Sequence, residues 1–296
     1  MFDIKSFYEA KDVKDAVEAL VREPEAEVIS GGTDVLIRVR EGKDAGRALV
    51  SIHNIKELKG VKVLENGDLW IGAATAFSHI TNDPTIQKLV PMLGEAVDMV
   101  GGPQIRNTGT IGGNICNGAT SADSAASMWT LNALIQLEGP EGHREVPIHE
   151  FYTGPGRTVR DRCEVCTGFI IKKEDYEGWY GQYIKYGKRK AMEIATLGCA
   201  VRVKLSADKK TIEDVRLGYG VAGPTPLRCH VAEEYLRGKA VSDKEAAAEF
   251  AKLALTEVNP RSSWRASKEF RLQLIEELAK RGLAEAIRRA GGEEDA

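Results

Sequence analysis

The chain has 296 residues, 43% hydrophobic and 29% charged, with 41 basic against 44 acidic side chains and a formal net charge of −3. At about 150 residues per domain this length predicts roughly two domains, and the composition predicts a buried core rather than disorder. The charge balance argues against a nucleic-acid binder, and no apolar run approaches the ~20 residues of a membrane helix.

In chain order, the first 55 residues read as β-α-β. Asp12 caps a helix whose apolar positions Val13, Ala16, Val17, Leu20 and Val21 recur at helical spacing. A strand, Glu27 to Ile29, runs into Ser30-Gly31-Gly32-Thr33-Asp34, followed by a helical stretch, Val35 to Arg40, and a strand, Arg47 to Ile52. Asn66-Gly67 predicts a hairpin of Val61 to Leu64 with Leu69 to Ile71. Helices are expected near Thr75 to Ile80 and Met92 to Val100, then an aperiodic stretch rich in Gly, Asn and Thr from Gly101 to Asp123, then a helix from Ser124. Leu134 to Leu137 and Arg144 to Ile148 read as strands across Pro140-Glu141-Gly142, and EVCTGFII as a half-buried strand. Tyr180 to Tyr186, Thr196 to Leu205 and Thr211 to Val221 predict an antiparallel meander. Gly223-Pro224-Thr225-Pro226 ends it, and helices follow at Cys229 to Leu236, Asp243 to Val258 and Ser267 to Lys280. The expectation is an α+β protein in two parts with a boundary near residue 178.

Five cysteines is an odd count at low density, so neither a disulfide framework nor a metal site is expected. Cys163-x-x-Cys166 reads as strand filler. The N-terminal MFDIKSFYEAKD places charges where a signal peptide needs its apolar region, so the chain is expected to be soluble and cytoplasmic. The five histidines show no spacing that demands chemistry.

Two glycine-rich turns stand out, SGGTD at 30–34 and GTIGGN at 109–114. Neither matches the G-x-G-x-x-G or P-loop fingerprints. Glycine after a strand permits positive φ and lets backbone N–H groups converge on an anion. Two such turns fit a ligand with a central diphosphate, and four amides would supply about 6–12 kcal/mol gross. Two tight turns with no ligand are the alternative that glycine content alone leaves open.

VISGGTDV at 28–35, GGPQIRNTGTIGGNICNGATSAD at 101–123 and RSSWRASKEFRL at 261–272 resemble the flavin-carrying medium subunit of molybdenum hydroxylases, in particular the bacterial xanthine dehydrogenase branch. The likeness covers nearly the whole chain. It implies a PCMH-type FAD-binding domain at 1–177, made of two α/β subdomains at about 1–56 and 57–177. A C-terminal domain at 178–290, a three-stranded antiparallel sheet with a helical bundle, would follow, and then a flexible tail at 291–296.

The resemblance also implies residue roles. Val28, Ile29, Ser30, Gly31, Gly32, Thr33, Asp34 and Val35 would wrap the FAD diphosphate. Thr110, Ile111, Gly112, Gly113 and Asn114 would form the second wall, with Gly101 beside the adenine. Cys116 and Asn117 would lie near the isoalloxazine and ribityl groups, and Cys166 would touch the flavin through its main chain. Asp123 would be a polar FAD contact, although it could equally be the N-cap of the helix after it. Lys185 would sit near the pyrimidine edge, where a cation stabilises reduced flavin and raises its potential; a solvated edge lysine is the alternative. Lys188, Arg189 and Lys190 form a basic segment suited to a dinucleotide acceptor's phosphates, or an ordinary solvated turn. Arg265 and Arg271 would pin the last helices or meet a partner.

No four-cysteine ferredoxin pattern and no recognisable molybdopterin segment occurs, so the resemblance implies an electron-exit module. The molybdenum cofactor and the [2Fe–2S] clusters would reside on a large and a small partner subunit, in a heterotrimer or a dimer of heterotrimers. FAD here would pass electrons to NAD⁺. The competing readings are the flavin subunit of another N-heterocycle or aldehyde hydroxylase, a self-contained flavin oxidoreductase, and a nucleotide-binding scaffold without flavin.

Overall fold

The computed structural model describes residues 2–292. Of the tail expected at 291–296, positions from 293 on lie outside the described residues. The first unit holds a three-stranded parallel sheet of β1 (Ile4–Glu9), β2 (Glu27–Ile29) and β3 (Arg47–Ser51), in the order β1-β3-β2. Helices α1 (Val13–Arg22) and α2 (Val35–Arg40) connect its strands. Asp12 caps α1 as expected, its carboxylate accepting from the Asp15 N–H at 2.8 Å, a bond worth about 1 kcal/mol. The helix buries Ala16, Val17, Ala19 and Leu20.

The second sheet is antiparallel, in the order β4-β5-β10-β6-β7. It comprises β4 (Val61–Val63), β5 (Leu69–Gly72), β6 (Leu134–Gly139), β7 (Gly142–Pro147) and β10 (Val165–Ile171). A short hairpin, β8 (Tyr152–Gly154) with β9 (Arg157–Thr158), precedes its central strand. A run of helices lies between β5 and β6: α3 (Phe77–Asn82), α4 (Pro84–Leu89), α5 (Pro91–Asp98), α6 (Pro103–Thr108), α7 (Ile111–Cys116) and α8 (Asp123–Thr130). The one-turn α9 (Ile148–Phe151) follows β7. The stretch expected to be aperiodic thus contains two short helices. Their segments are too short and too rich in Gly and Asn to show helical periodicity; Pro103 starts one and the Thr110 hydroxyl caps the other.

The third sheet contains β11 (Trp179–Tyr186), β12 (Leu197–Leu205) and β13 (Ile212–Gly220) as an antiparallel meander. After the Gly-Pro turn the chain returns as a fourth, two-residue edge strand, β14 (Leu227–Arg228). Helices α10 (His230–Leu236), α11 (Lys244–Ala254) and α12 (Lys268–Arg289) cover this sheet around Val201, Val203, Phe250, Ile275 and Leu278. The last helix runs nine residues beyond its expected end, because Leu283, Ala286 and Ile287 keep the buried stripe going.

Helix α8 is buried along its whole length. Met128 and Trp129 enter the core against the second sheet, while Ala126 packs with Tyr183 and Ala200 of the third sheet. At its C-terminus the Thr130 carbonyl accepts from both Arg202 (3.0 Å) and Arg216 (2.9 Å). Two guanidiniums thereby satisfy and complement a helix end that burial would otherwise leave costly. They lie over Trp179, and Arg216 pairs with Asp175 at 2.7 Å. Among the described residues no helix is long and apolar enough to cross a membrane.

Candidate functional site

The two glycine turns meet. A Cβ on Gly31 would lie 1.9 Å from the Thr108 carbonyl oxygen and 3.0 Å from the Gly109 Cα, so the first turn passes directly against the backbone leading into the second. Gly32 takes φ +71°, and a Cβ there would point at Leu36 and Ile29 rather than at a ligand. Glycine at 32 therefore serves the turn's conformation; it does not make room for phosphate.

Between the turns lies a cavity of about 780 Å³, within the range of small-molecule sites. Val28, Ser30, Gly31, Gly32, Thr33, Asp34 and Val35 line one side, and Gly101, Thr110, Gly112, Gly113, Asn114, Cys116, Asn117, Asp123 and Cys166 are among the residues lining the rest. Ile29, Ile111 and Lys185 do not line it. Ile29 and Ile111 point into apolar packing, at 7% and 0% exposure. A separate groove of about 1130 Å³ lies between α1 and the second sheet, with Val17, Trp70, Gln136 and Thr167 on its walls. Strand alternation puts Cys166 on the first cavity and Thr167 on this groove.

The turns differ in what they offer an anion. In the second, the amides of Gly109, Ile111, Gly112, Gly113 and Asn114 are engaged. Ile111 N–H donates to Thr75 O, Gly112 N–H to Ala73 O, Asn114 N–H to Thr110 O, and Gly113 N–H to the Thr110 hydroxyl. The expectation of paired main-chain cradles is corrected accordingly: Ile111 and Gly112 tie α7 to the chain after β5, and Gly113 and Asn114 close its first turn on Thr110. In the first turn the amides of Gly31, Gly32, Thr33 and Asp34 have no partner among the described residues. The Ser30 hydroxyl is buried without one. Gly31, Gly32 and Thr33 are half-buried and Asp34 is exposed; half-buried donors left open in this way ask for an acceptor. The second turn supplies space instead: a Cβ on Gly113 would meet only Thr110 Oγ1, at 3.1 Å. The Asn114 carboxamide oxygen accepts from Ser124 Oγ at 2.7 Å, leaving its NH₂ as the available donor. The residues present thus fit a diphosphate-bearing dinucleotide.

Asp123 is the first residue of α8; the N-cap is Ala122, and no side chain caps the helix. The capping alternative for Asp123 is therefore ruled out. Its carboxylate is held from β11, by Tyr183 OH at 3.0 Å and Lys185 Nζ at 2.8 Å. Burial pushes the Asp123 carboxyl up, and the Lys185 charge works against that push. Lys185 also donates to Met99 O at 2.9 Å. The lysine thus stands behind Asp123, with a side chain only 9% exposed, and is no solvated edge residue. Sequence reasoning had no access to the Lys185–Asp123 contact, since 62 positions separate the two.

The segment after Lys185 reaches the same cavity through Met192, Glu193 and Ile194, while Lys188, Arg189 and Lys190 are exposed. Arg271 holds the 261–267 segment, donating to Thr196 O and Ser263 Oγ. Also missed were Arg157, Arg160 and Arg162, which line the cavity from the stretch after β8. Their clustering in sequence was the available signal.

A family model for the FAD binding domain in molybdopterin dehydrogenase matches residues 2–172, and one for the CO dehydrogenase flavoprotein C-terminal domain matches residues 182–286. The chain belongs to the FAD-binding subunits of the molybdenum hydroxylases. It is 42% identical to the xanthine dehydrogenase FAD-binding subunit of Escherichia coli O157:H7, over 99% of each chain. Identity to the carbon monoxide dehydrogenase medium chain of Hydrogenophaga pseudoflava is 30%, over 94% of this chain and 95% of that one. A solved structure of the Hydrogenophaga enzyme lacking the Mo-pyranopterin moiety superposes with a TM-score of 0.92 at 29% identity, covering 98% of this chain and 99% of its counterpart. This flavoprotein subunit therefore has the α+β architecture that its motifs implied.

Proposed function

We propose that the chain holds FAD between the two turns and is the electron-exit subunit of a xanthine dehydrogenase-type complex. Electrons would enter from [2Fe–2S] clusters on a small partner subunit and leave to NAD⁺, with molybdopterin on a large partner, in a heterotrimer or its dimer. The 42% identity to a xanthine dehydrogenase FAD-binding subunit supports the branch. The observation that carries the reading is the first turn, which lines the cavity: four amides without partners among the described residues, beside an unpartnered Ser30 hydroxyl.

FAD, when bound, supplies the exchange between one-electron and two-electron steps. This chain's residues bind and orient it. Gly31 to Asp34 direct N–H groups at the diphosphate, and each charge-assisted bond contributes about 1.5–3 kcal/mol gross. Asn114 offers its NH₂. Asp123 presents a carboxylate whose charge Lys185 maintains, so we assign Lys185 an action on the flavin environment exerted through Asp123. The basic 188–190 segment beside the cavity suits the phosphates of a dinucleotide acceptor.

The direct test is Gly113→Val. The added side chain enters open cavity space at the second turn, away from the backbone contact between the turns. The expected result is a folded chain with a wild-type circular dichroism spectrum and little or no flavin absorbance. A variant that purifies with full flavin content rejects the placement. For the acceptor, the assembled complex given a purine substrate should reduce NAD⁺. Reduction of the flavin by a small substrate in the isolated chain would favour a self-contained oxidoreductase, and activity on another heterocycle or an aldehyde would move the chain to a different branch.

A further inference from the structure

Trp264 is 77% exposed, the most exposed large apolar side chain among the described residues. Its segment is nevertheless fixed. Buried Arg271 donates to the Arg261 carbonyl and to Ser263 Oγ at 2.9 Å, the Ser263 N–H closes onto Ala266 O at 2.9 Å, and Ser262 Oγ accepts from the Lys268 N–H at 2.9 Å. Arg271 also holds Thr196 O at 3.1 Å, at the end of the loop that follows β11. An indole presented to water on a pinned backbone adds little to the core, since its burial is what would stabilise the fold.

Trp264 joins two basic stretches. The Arg265 guanidinium lies 4.3 Å and the Lys188 ammonium 5.8 Å from its ring centroid. Residues 187–194 and 261–268 together carry six basic side chains against one acid, Glu193, in a chain of net charge −3. Lys188, Arg189, Lys190, Arg261 and Lys268 are exposed. This ground adjoins the cavity. Glu193 lines it and accepts from the Arg189 N–H, and its carboxylate would lie 3.0 Å from a Cβ on Gly187, the neighbour of Lys188. Met192 and Ile194, both exposed, line the cavity as well.

We propose that Trp264, with Lys188 and Arg265, is the platform that takes the adenylate half of the dinucleotide acceptor. The assignment rests on the NAD⁺ acceptor proposed above and says where that acceptor is held. The base stacks on the indole, which the two cations leave largely open, and the Lys188 and Arg265 charges meet the phosphates. The nicotinamide end is thereby directed past Met192 and Ile194 toward the cavity. An acidic protein surface would match the charge alone. The continuity of exposed aromatic, basic ground and cavity fits a ligand that carries a base, phosphates and a redox ring in one molecule.

The test measures AMP and adenosine binding to the full chain by calorimetry, and NAD⁺ kinetics of the assembled complex with a purine substrate. Trp264→Ala should weaken AMP and adenosine alike by about 5–150-fold, the range for loss of one base–aromatic stack, and raise KM for NAD⁺ by a similar factor at unchanged kcat. Trp264→Phe should recover most of both. Lys188→Ala should weaken AMP by about 2–5-fold at low salt and leave adenosine binding as it was. AMP affinity and a KM that do not change in Trp264→Ala overturn the platform and leave the acceptor reading standing. Failure of Trp264→Ala to join its partner subunits, with AMP binding intact, also overturns it and makes the patch a protein interface. A wild-type complex that oxidises its purine with a dye acceptor but not with NAD⁺ rejects the acceptor reading; AMP binding that still depends on Trp264 then supports the platform as a nucleotide site.

Discussion

Lys185→Ala should destabilise the folded chain by about 3–5 kcal/mol, the usual cost of removing one partner from a buried ion pair. Lys185 and Asp123 meet at 2.8 Å with side chains 9% and 7% exposed, and only the Tyr183 hydroxyl would remain on the carboxylate. Burial already raises the Asp123 carboxyl, and loss of the ammonium raises it further. A carboxyl whose folded value lies above its unfolded one stabilises fully only below the unfolded value, near 3.9. That contribution is lost as pH rises through the folded value. The gap between wild type and variant should therefore widen from pH 4 toward neutrality. Urea denaturation across that range checks both the size and the slope. Equal stabilities at neutral pH would show that the pair contributes nothing, and a gap that narrows with rising pH would contradict the sign. A solvated edge lysine would give neither effect.

The second large effect is expected at Gly31. Alanine there places Cβ 1.9 Å from the Thr108 carbonyl oxygen and 2.6 Å from its carbon. Both are backbone atoms, so the turns must separate. Overpacking of this kind costs about 1–3 kcal/mol, and the larger consequence is for the ligand, because the four open amides move with the turn. Gly31→Ala should thus lower both the thermal midpoint and the flavin content, whereas Gly113→Val lowers flavin content alone. The ratio of flavin absorbance to protein, measured beside the melting curve, separates the two. Wild-type flavin content in Gly31→Ala would show that the turns tolerate separation.

How much of this could be read from the residues follows from the range of the interactions involved. Local chemistry was visible: Asp12 capping α1, Asn66-Gly67 joining β4 to β5, and three strands alternating into a meander. The motifs also located both turns and the cavity they enclose. Short helices such as α4 and α6 escaped, since six residues begun by a proline carry too little periodicity to separate from a loop. The edge strand β14 was hidden by its two-residue length. At the site, the motifs could not show which amides were already engaged. Gly112 and Gly113 look like an anion cradle in sequence, yet their N–H groups serve α7; only Ala73 O and the Thr110 hydroxyl, placed by the fold, reveal it. Asp123 likewise resembled a cap until a lysine 62 positions away took its carboxylate.

Helix α8 ties the two family segments into one mechanical object. Its first residue faces the cavity and is gripped by β11, and its last carbonyl is gripped by Arg202 and Arg216. A truncation ending near residue 178 would strip both anchors and expose Ala126 and the Thr130 end to water. An amino-terminal half cut there should therefore be less stable than the whole chain, since a helix at the edge of its cavity is held at both ends by the other half.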